Sequence, residues 1–181
     1  MKNINITLND NKIDINCDNK FNTKINCLNS DDFPVIPEIE KNNKYIINSN
    51  DLKNILSRVI NCVSINGSRP EINGVLLKIE ENKMFIVGTD GYRLSEGIVK
   101  IENEKNTNEQ IIIPLFTAQE VNKILQTTTG DIEFYTTSTQ ILFVFQDIKV
   151  TSRIISGNYP DYKQIIPNKF KTSFIVDKTE F

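Results

Sequence analysis

A chain of 181 residues with 39% hydrophobic and 24% charged residues has the composition of a soluble globular protein: one domain plus flanking pieces. Its net charge of −2 supplies no global basic field for nucleic acid, and the absence of histidine removes the commonest general base and metal ligand. No apolar run reaches the ~20 residues of a membrane span and no apolar leader precedes a small-residue cleavage site, so a cytoplasmic protein is expected.

Taken in chain order, residues 3–30 read as three strands, the last over Asn22–Leu28. Cys17 and Cys27 flank the candidate hairpin and are placed to face each other. With Cys62 they make an odd number without C-x-x-C spacing, which favours free thiols over a disulfide framework or a zinc site. A linker with Phe33-Pro34 and Pro37 leads to a short strand at Tyr45–Ile47. Leu52, Ile55, Leu56, Val59, Ile60 and Val63 then recur at helical spacing, which predicts a helix over about 50–64.

Val75–Ile79, Met84–Gly88 and Arg93–Ile101 read as strands, with Asp90-Gly91 as a hairpin signal between the last two. On local grounds this is a structural turn. It also carries Leu94 and the aliphatic stem of Arg93 to one edge of the sheet, where an apolar pocket with a polar rim would suit a peptide anchor. A strand at Gln110–Ile113 leads to a second helix over about 118–126, with Thr117 and Glu120 in capping-box spacing. Ile132–Tyr135, Ile141–Phe145 and Lys149–Ile155 are further strands, and Tyr159-Pro160 and Pro167 precede a last one at Phe174–Val176.

Two repeats emerge. A strand-helix-three-strand motif occurs twice, and short strands separated by turns pair antiparallel, so the fold class is α+β with two helices packed on antiparallel sheets. At domain scale, residues 24–52 and 151–181 share a strand, an aromatic-Pro pair, a second Pro, another strand and a polar cluster. The offset is about 126 to 129 residues (Phe33 to Tyr159, Tyr45 to Phe174). This divides the chain into residues 1–40, the strands that end one unit with a linker; 41–168, a complete central unit; and 169–181, the first strand of a third.

Three segments carry a family resemblance: Thr89-Asp90-Gly91-Tyr92-Arg93-Leu94, Arg69-Pro70-Glu71-Ile72-Asn73-Gly74-Val75, and Ser152-Arg153-Ile154-Ile155-Ser156-Gly157-Asn158-Tyr159-Pro160-Asp161-Tyr162. The first resembles the TDG-x-RL signature of bacterial DNA polymerase III beta subunits, the sliding clamps, and all three stand in that family's order and spacing. The resemblance implies three copies of a clamp domain per subunit and a head-to-tail homodimer closed around duplex DNA. Its partners would be DNA polymerase III, other polymerases, the clamp loader and repair proteins; it implies no cofactor, no metal and no catalysis.

The resemblance assigns a peptide-binding pocket to Thr89, Gly91, Tyr92, Arg93 and Leu94, with Ile72, Pro160 and Ile165 as further walls. Ordinary loop or core packing is the competing account of those three. It also makes Lys53, Arg58, Arg69 and Lys123 candidates to face DNA, against a solvated helix face, and places Ile25 near a subunit edge. In the family basic residues often enter the second helix; here the segment reads Pro114-Leu115-Phe116-Thr117, which thins the DNA-facing charge. An enzyme is disfavoured: Asp90 stands alone as a candidate carboxylate, and none of the 7 glycines falls in a phosphate-loop pattern. A non-enzymatic, repetitive β-rich structural or adhesion module is the remaining alternative, disfavoured by two amphipathic helices and unpaired cysteines.

Overall fold

Alternation of apolar and polar residues fixes the first sheet. In the computed structural model β1 (Ile4–Asn9), β2 (Lys12–Cys17) and β3 (Phe21–Asn26) form an antiparallel meander. Ile6 pairs with Ile15, Leu8 with Ile13 and Ile13 with Ile25, so one face is apolar, while Thr7, Asp14, Lys24, Asn16 and Asn22 share the other. The cysteines do not face each other. Cys17 pairs with Phe21 at one end of the β2–β3 ladder, and the Cys27 N–H donates to the Asn11 carbonyl at the other; all three thiols are free. Register explains this: Cys17 lies opposite Phe21, and Cys27 would face it only if β3 slipped by six residues.

The structure describes residues 3–17, 21–35, 38–41, 43–65, 68–103, 108–177 and 179–181; Pro37 of the linker and Lys178 lie outside them. The meander belongs to one compact unit, Met1–Glu38, and the rest to a second, Ile39–Phe181.

The second unit contains β4 (Asn43–Asn48), α1 (Ser49–Val59), β5 (Gly74–Glu80), β6 (Lys83–Thr89), β7 (Leu94–Lys100), β8 (Glu102–Asn103), β9 (Glu109–Pro114), α2 (Leu115–Ile124), β10 (Asp131–Thr136), β11 (Gln140–Phe145) and β12 (Ile148–Arg153). The duplicated motif is β4-α1-β5-β6-β7 followed by β9-α2-β10-β11-β12. Its halves exchange their first strands: β9 pairs with β5 in the sheet β7-β6-β5-β9, and β4 pairs with β10 in the sheet β12-β11-β10-β4-β8. Neither half is complete alone.

Both helices pack on one face of the four-stranded sheet, α1 over β6 and β7 and α2 over β5 and β9. The core between helices and sheets holds Leu52, Leu56, Val59, Val121, Ile86 and Phe134 among its members. Tyr45 stacks on Phe134 with ring centroids 4.7 Å apart, and Phe134 meets Phe143 at 5.8 Å. α1 crosses so close to β6 that a Cβ on Gly88 would lie 2.7 Å from the Val59 carbonyl oxygen. Among the described residues no helix is long and apolar enough to cross a membrane.

Three expectations need correction. α1 ends at Val59 rather than near 64, because the chain tightens into a 3-10 turn over Ile60–Cys62 and Asn61 Nδ2 caps the Ser57 carbonyl at 2.8 Å. α2 begins at Leu115, directly after Pro114, whose φ of −55° already suits a helix entry. Thr117 therefore sits inside the first turn and forms no capping box; its hydroxyl lies 2.7 Å from Ser152 Oγ. Residues 174–176 form no strand and are exposed, since among the described residues no neighbouring strand satisfies their backbone groups.

Candidate functional site

The turn between β6 and β7 is organised by two side chains. Asp90 Oδ1 accepts from the backbone N–H groups of Tyr92 (2.9 Å) and Arg93 (2.7 Å). Asp90 Oδ2 accepts from Arg93 Nε (3.0 Å) and Nη2 (2.8 Å), so the guanidinium is turned back along the turn. Thr89 Oγ1 donates to the Arg93 carbonyl (2.7 Å) and accepts from the Gly91 N–H (3.1 Å). Gly91 takes φ +89°, a conformation that costs glycine nothing. The Arg93 and Tyr92 amides, then the Arg93 guanidinium, hold the Asp90 carboxyl down at about 2, and Asp90 in return raises the guanidinium.

This turn stands at the end of an apolar face. Leu76, Val87 and Ile112 point away from the helices on β5, β6 and β9 and pack with Tyr159 and Tyr162; Phe85, Leu94 and Ile155 border the group. Residues 154–165 form a strap across this outer face. The Ile155 N–H donates to the Ile112 carbonyl (2.8 Å), the Tyr162 hydroxyl donates to Glu96 Oε2 on β7, and Lys163 Nζ lies 4.8 Å from the Phe85 ring centroid. A cleft of about 270 Å³ opens beside the strap, lined by Leu76, Ile112, Ile155, Gly157 and Tyr159.

Burial pushes the Tyr159 phenol up to about 12, weakly opposed by the Thr89 amide. That amide does not reach hydrogen-bond geometry, and the Tyr159 hydroxyl is without a partner among the described residues. Burial, then the bond to Glu96, raises Tyr162 as well. Both tyrosines are neutral phenols at any physiological pH.

Of the residues singled out from the sequence, Thr89, Gly91, Tyr92, Arg93 and Leu94 lie together in or beside the turn. Leu94 joins the apolar face, Tyr92 is 99% exposed, and Arg93 projects into solvent with Asp90 as its partner. Pro160 is half-buried on the strap, its carbonyl accepting from the Tyr162 N–H at 2.8 Å. Ile165 ends the strap, 68% exposed, and Ile72 sits half-buried in the 3-10 turn Pro70–Ile72. Neither belongs to the apolar group around Leu94.

Lys53 is half-buried on α1, Arg58 and Arg69 are exposed, and Lys123 is bonded to Glu120 at 2.9 Å. The two helices together carry Lys53, Arg58 and Lys123 against Asp51 and Glu120, a surplus of a single positive charge. Ile25 is 49% exposed on β3, an edge strand of the first sheet. No group of His, Cys, Asp and Glu among the described residues could hold a metal ion.

Leu76, Val87, Ile112 and Glu96 were not singled out from the sequence, and Tyr159 and Tyr162 stood out only as members of the 152–162 segment. A signal for the first three was present. The runs Gly74-Val75-Leu76-Leu77, Phe85-Ile86-Val87 and Ile111-Ile112-Ile113 are continuous rather than alternating, the mark of strands covered on both faces. The Tyr162–Glu96 pairing joins positions 66 residues apart and leaves no local trace.

A family model described as the DNA polymerase III beta subunit, central domain, matches residues 46–161. The beta sliding clamp of Bacillus subtilis is 32% identical over 162 residues, covering 90% of this chain and 43% of the relative; that of Staphylococcus aureus is 29% identical over 154 residues, 85% and 41%. The solved sliding clamp of Bacillus subtilis superposes with a TM-score of 0.84 at 28% identity, covering 92% of this chain and 44% of that one. A putative beta subunit from Eubacterium rectale gives 0.82 at 29%, covering 92% and 46%. The chain thus spans under half the length of the relatives it matches. With the TDG-x-RL turn in place on a sheet of this topology, the chain belongs to the DNA polymerase III beta subunit family.

Proposed function

We propose that this chain is the central part of a sliding clamp, a non-catalytic processivity factor that encircles duplex DNA and docks linear motifs of polymerases, the clamp loader and repair proteins. Residues 41–168 would be the whole central domain, 1–40 the end of the first domain and its linker, and 169–181 the start of the third. Two such subunits, each complete, would close head to tail. The observation that carries the docking role is the apolar face bordered by Leu94, the Asp90-ordered turn and the Tyr159-Pro160 strap. A Leu or Phe anchor laid there would bury apolar surface worth about 25 cal/mol per Å².

Encirclement needs no strong DNA contact, and the helices' small positive surplus suits a protein that slides. Tethering then raises the effective concentration of a polymerase at the primer end. The reading puts the protein in the cytoplasm, with the chromosome.

Two measurements test this. In the complete polypeptide, Leu94→Ala with Arg93→Ala should remove binding of Leu/Phe-bearing peptides and leave the subunits associated; unchanged affinity rejects the docking assignment. The loaded protein should stay on closed circular DNA at high salt and leave when the circle is cut. Loss from both forms alike would rule out encirclement.

A further inference from the structure

One rung of side chains crosses the outer face of the four-stranded sheet. Ile112 pairs with Leu76, Leu76 with Val87, and Val87 with Glu96. The first three are buried and apolar; the fourth is a carboxylate on the edge strand β7. The strap follows this rung from end to end. Its Ile155 N–H is fixed to the Ile112 carbonyl, its Tyr159 packs with Leu76 and Val87, and its Tyr162 hydroxyl reaches Glu96.

The strap has no β-ladder of its own, only the 3-10 turn Tyr162–Ile165. Its position therefore depends on the anchors at its two ends and the apolar contacts between them. Tyr162 is 5% exposed, and a phenolic oxygen taken that far out of water needs a partner, which Glu96 provides. Glu96 and Leu94 are two residues apart on β7, so both leave the same face of the sheet about 7 Å apart. The Tyr162 anchor is thus one pleat repeat from the leucine of the docking face. Moving the strap toward or away from the 89–94 turn would stretch that bond.

We infer that Tyr162 and Glu96 are positioning residues: their hydrogen bond latches the strap along the rung and sets the distance between its Tyr159-Pro160 wall and Leu94, so fixing the width of the docking face. The inference rests on the docking function proposed above, and its first test does not. Tyr162→Phe keeps the ring in the apolar group and removes only the hydroxyl. Glu96→Ala removes the acceptor, and Glu96→Gln keeps an amide oxygen in its place.

Residue-resolved amide exchange on the 181-residue chain is the first readout. Tyr162→Phe and Glu96→Ala should speed exchange at the Tyr162 amide, which donates to the Pro160 carbonyl, by about tenfold while β5, β6 and the Ile155 amide keep their protection; Glu96→Gln should stay close to the parent. Unchanged strap exchange in Tyr162→Phe overturns the latch. The second readout is a titration of the complete polypeptide carrying the same substitutions with a short synthetic peptide bearing a Leu and a Phe, followed at the Leu94 methyls. The dissociation constant should rise by about three- to tenfold in Tyr162→Phe and recover in Glu96→Gln relative to Glu96→Ala. A loosened strap with unchanged affinity overturns the control of width. No shift at Leu94 in the parent refutes the docking function itself and leaves the latch to be decided by exchange.

Discussion

Asp90 does two jobs with one carboxylate, closing the backbone of the turn through Oδ1 and turning Arg93 back through Oδ2. Its pKa falls from 3.8 to about 2 on folding, so the ionised form is favoured in the folded state. The stabilisation is present above the unfolded value and is lost as pH falls through about 2. The Tyr92 and Arg93 amide resonances should accordingly titrate with a midpoint near 2, and a midpoint near 3.8 would disconnect the carboxylate from the turn. Asp90→Asn should loosen the same amides at neutral pH. A second residue is constrained by space rather than charge. Gly88 faces the Val59 carbonyl, a backbone atom that cannot swing aside. Gly88→Ala should cost about 1–3 kcal/mol in denaturant unfolding, by pushing α1 off β6.

The helices show which elements the sequence makes legible and which it hides. α1 is legible because its stripe recurs at 3.6 residues and Asn48 stands at its start, accepting from the N–H groups of Asn50 (3.1 Å) and Asp51 (3.4 Å). The start of α2 is hidden because Thr117 and Glu120 have the spacing of a capping box but not its position: the helix has already begun at Leu115. Asn48→Ala should therefore cost about 1 kcal/mol, while Glu120→Ala, which loses only an exposed pair with Lys123, should stay within about 0.5 kcal/mol. A Glu120→Ala cost equal to that of Asn48→Ala in chemical denaturation would restore the capping box.

The strands divide in the same way. Their existence and the Asp90-Gly91 turn are local matters of patterning and turn chemistry. The exchange of β4 and β9 between sheets is not, because any of several pairings satisfies the same apolar runs. Within the candidate site, the 89–94 turn was legible for the same local reason. The strap was legible only as the motif around Tyr159-Pro160, since its seat on Leu76, Val87 and Glu96 depends on which outer face the topology leaves open.

At the scale of the molecule, the two units differ in what holds them. Unit Ile39–Phe181 has a core in which both helices and both sheets share buried residues, with an aromatic run from Tyr45 through Phe143. Unit Met1–Glu38 is a single three-stranded sheet whose apolar row of Ile4, Ile6 and Leu8 is 64%, 67% and 67% exposed. A lone sheet of this size buries too little to offset the entropy of ordering its chain. Residues 39–181 should therefore fold without the meander, giving one cooperative thermal transition within a few degrees of the whole chain. Residues 1–38 alone should show no β-sheet signal by circular dichroism. The exchanged first strands sharpen the expectation. Because β9 completes the sheet of β5 and β4 completes the sheet of β10, cutting the second unit between β8 and β9 takes the edge strand β9 from one sheet and the inner strand β4, with β8, from the other. Fragments 39–103 and 108–181 should each be unfolded and should regain structure only on mixing. A fragment that folds alone would mean the two halves are separate domains rather than one interlocked core.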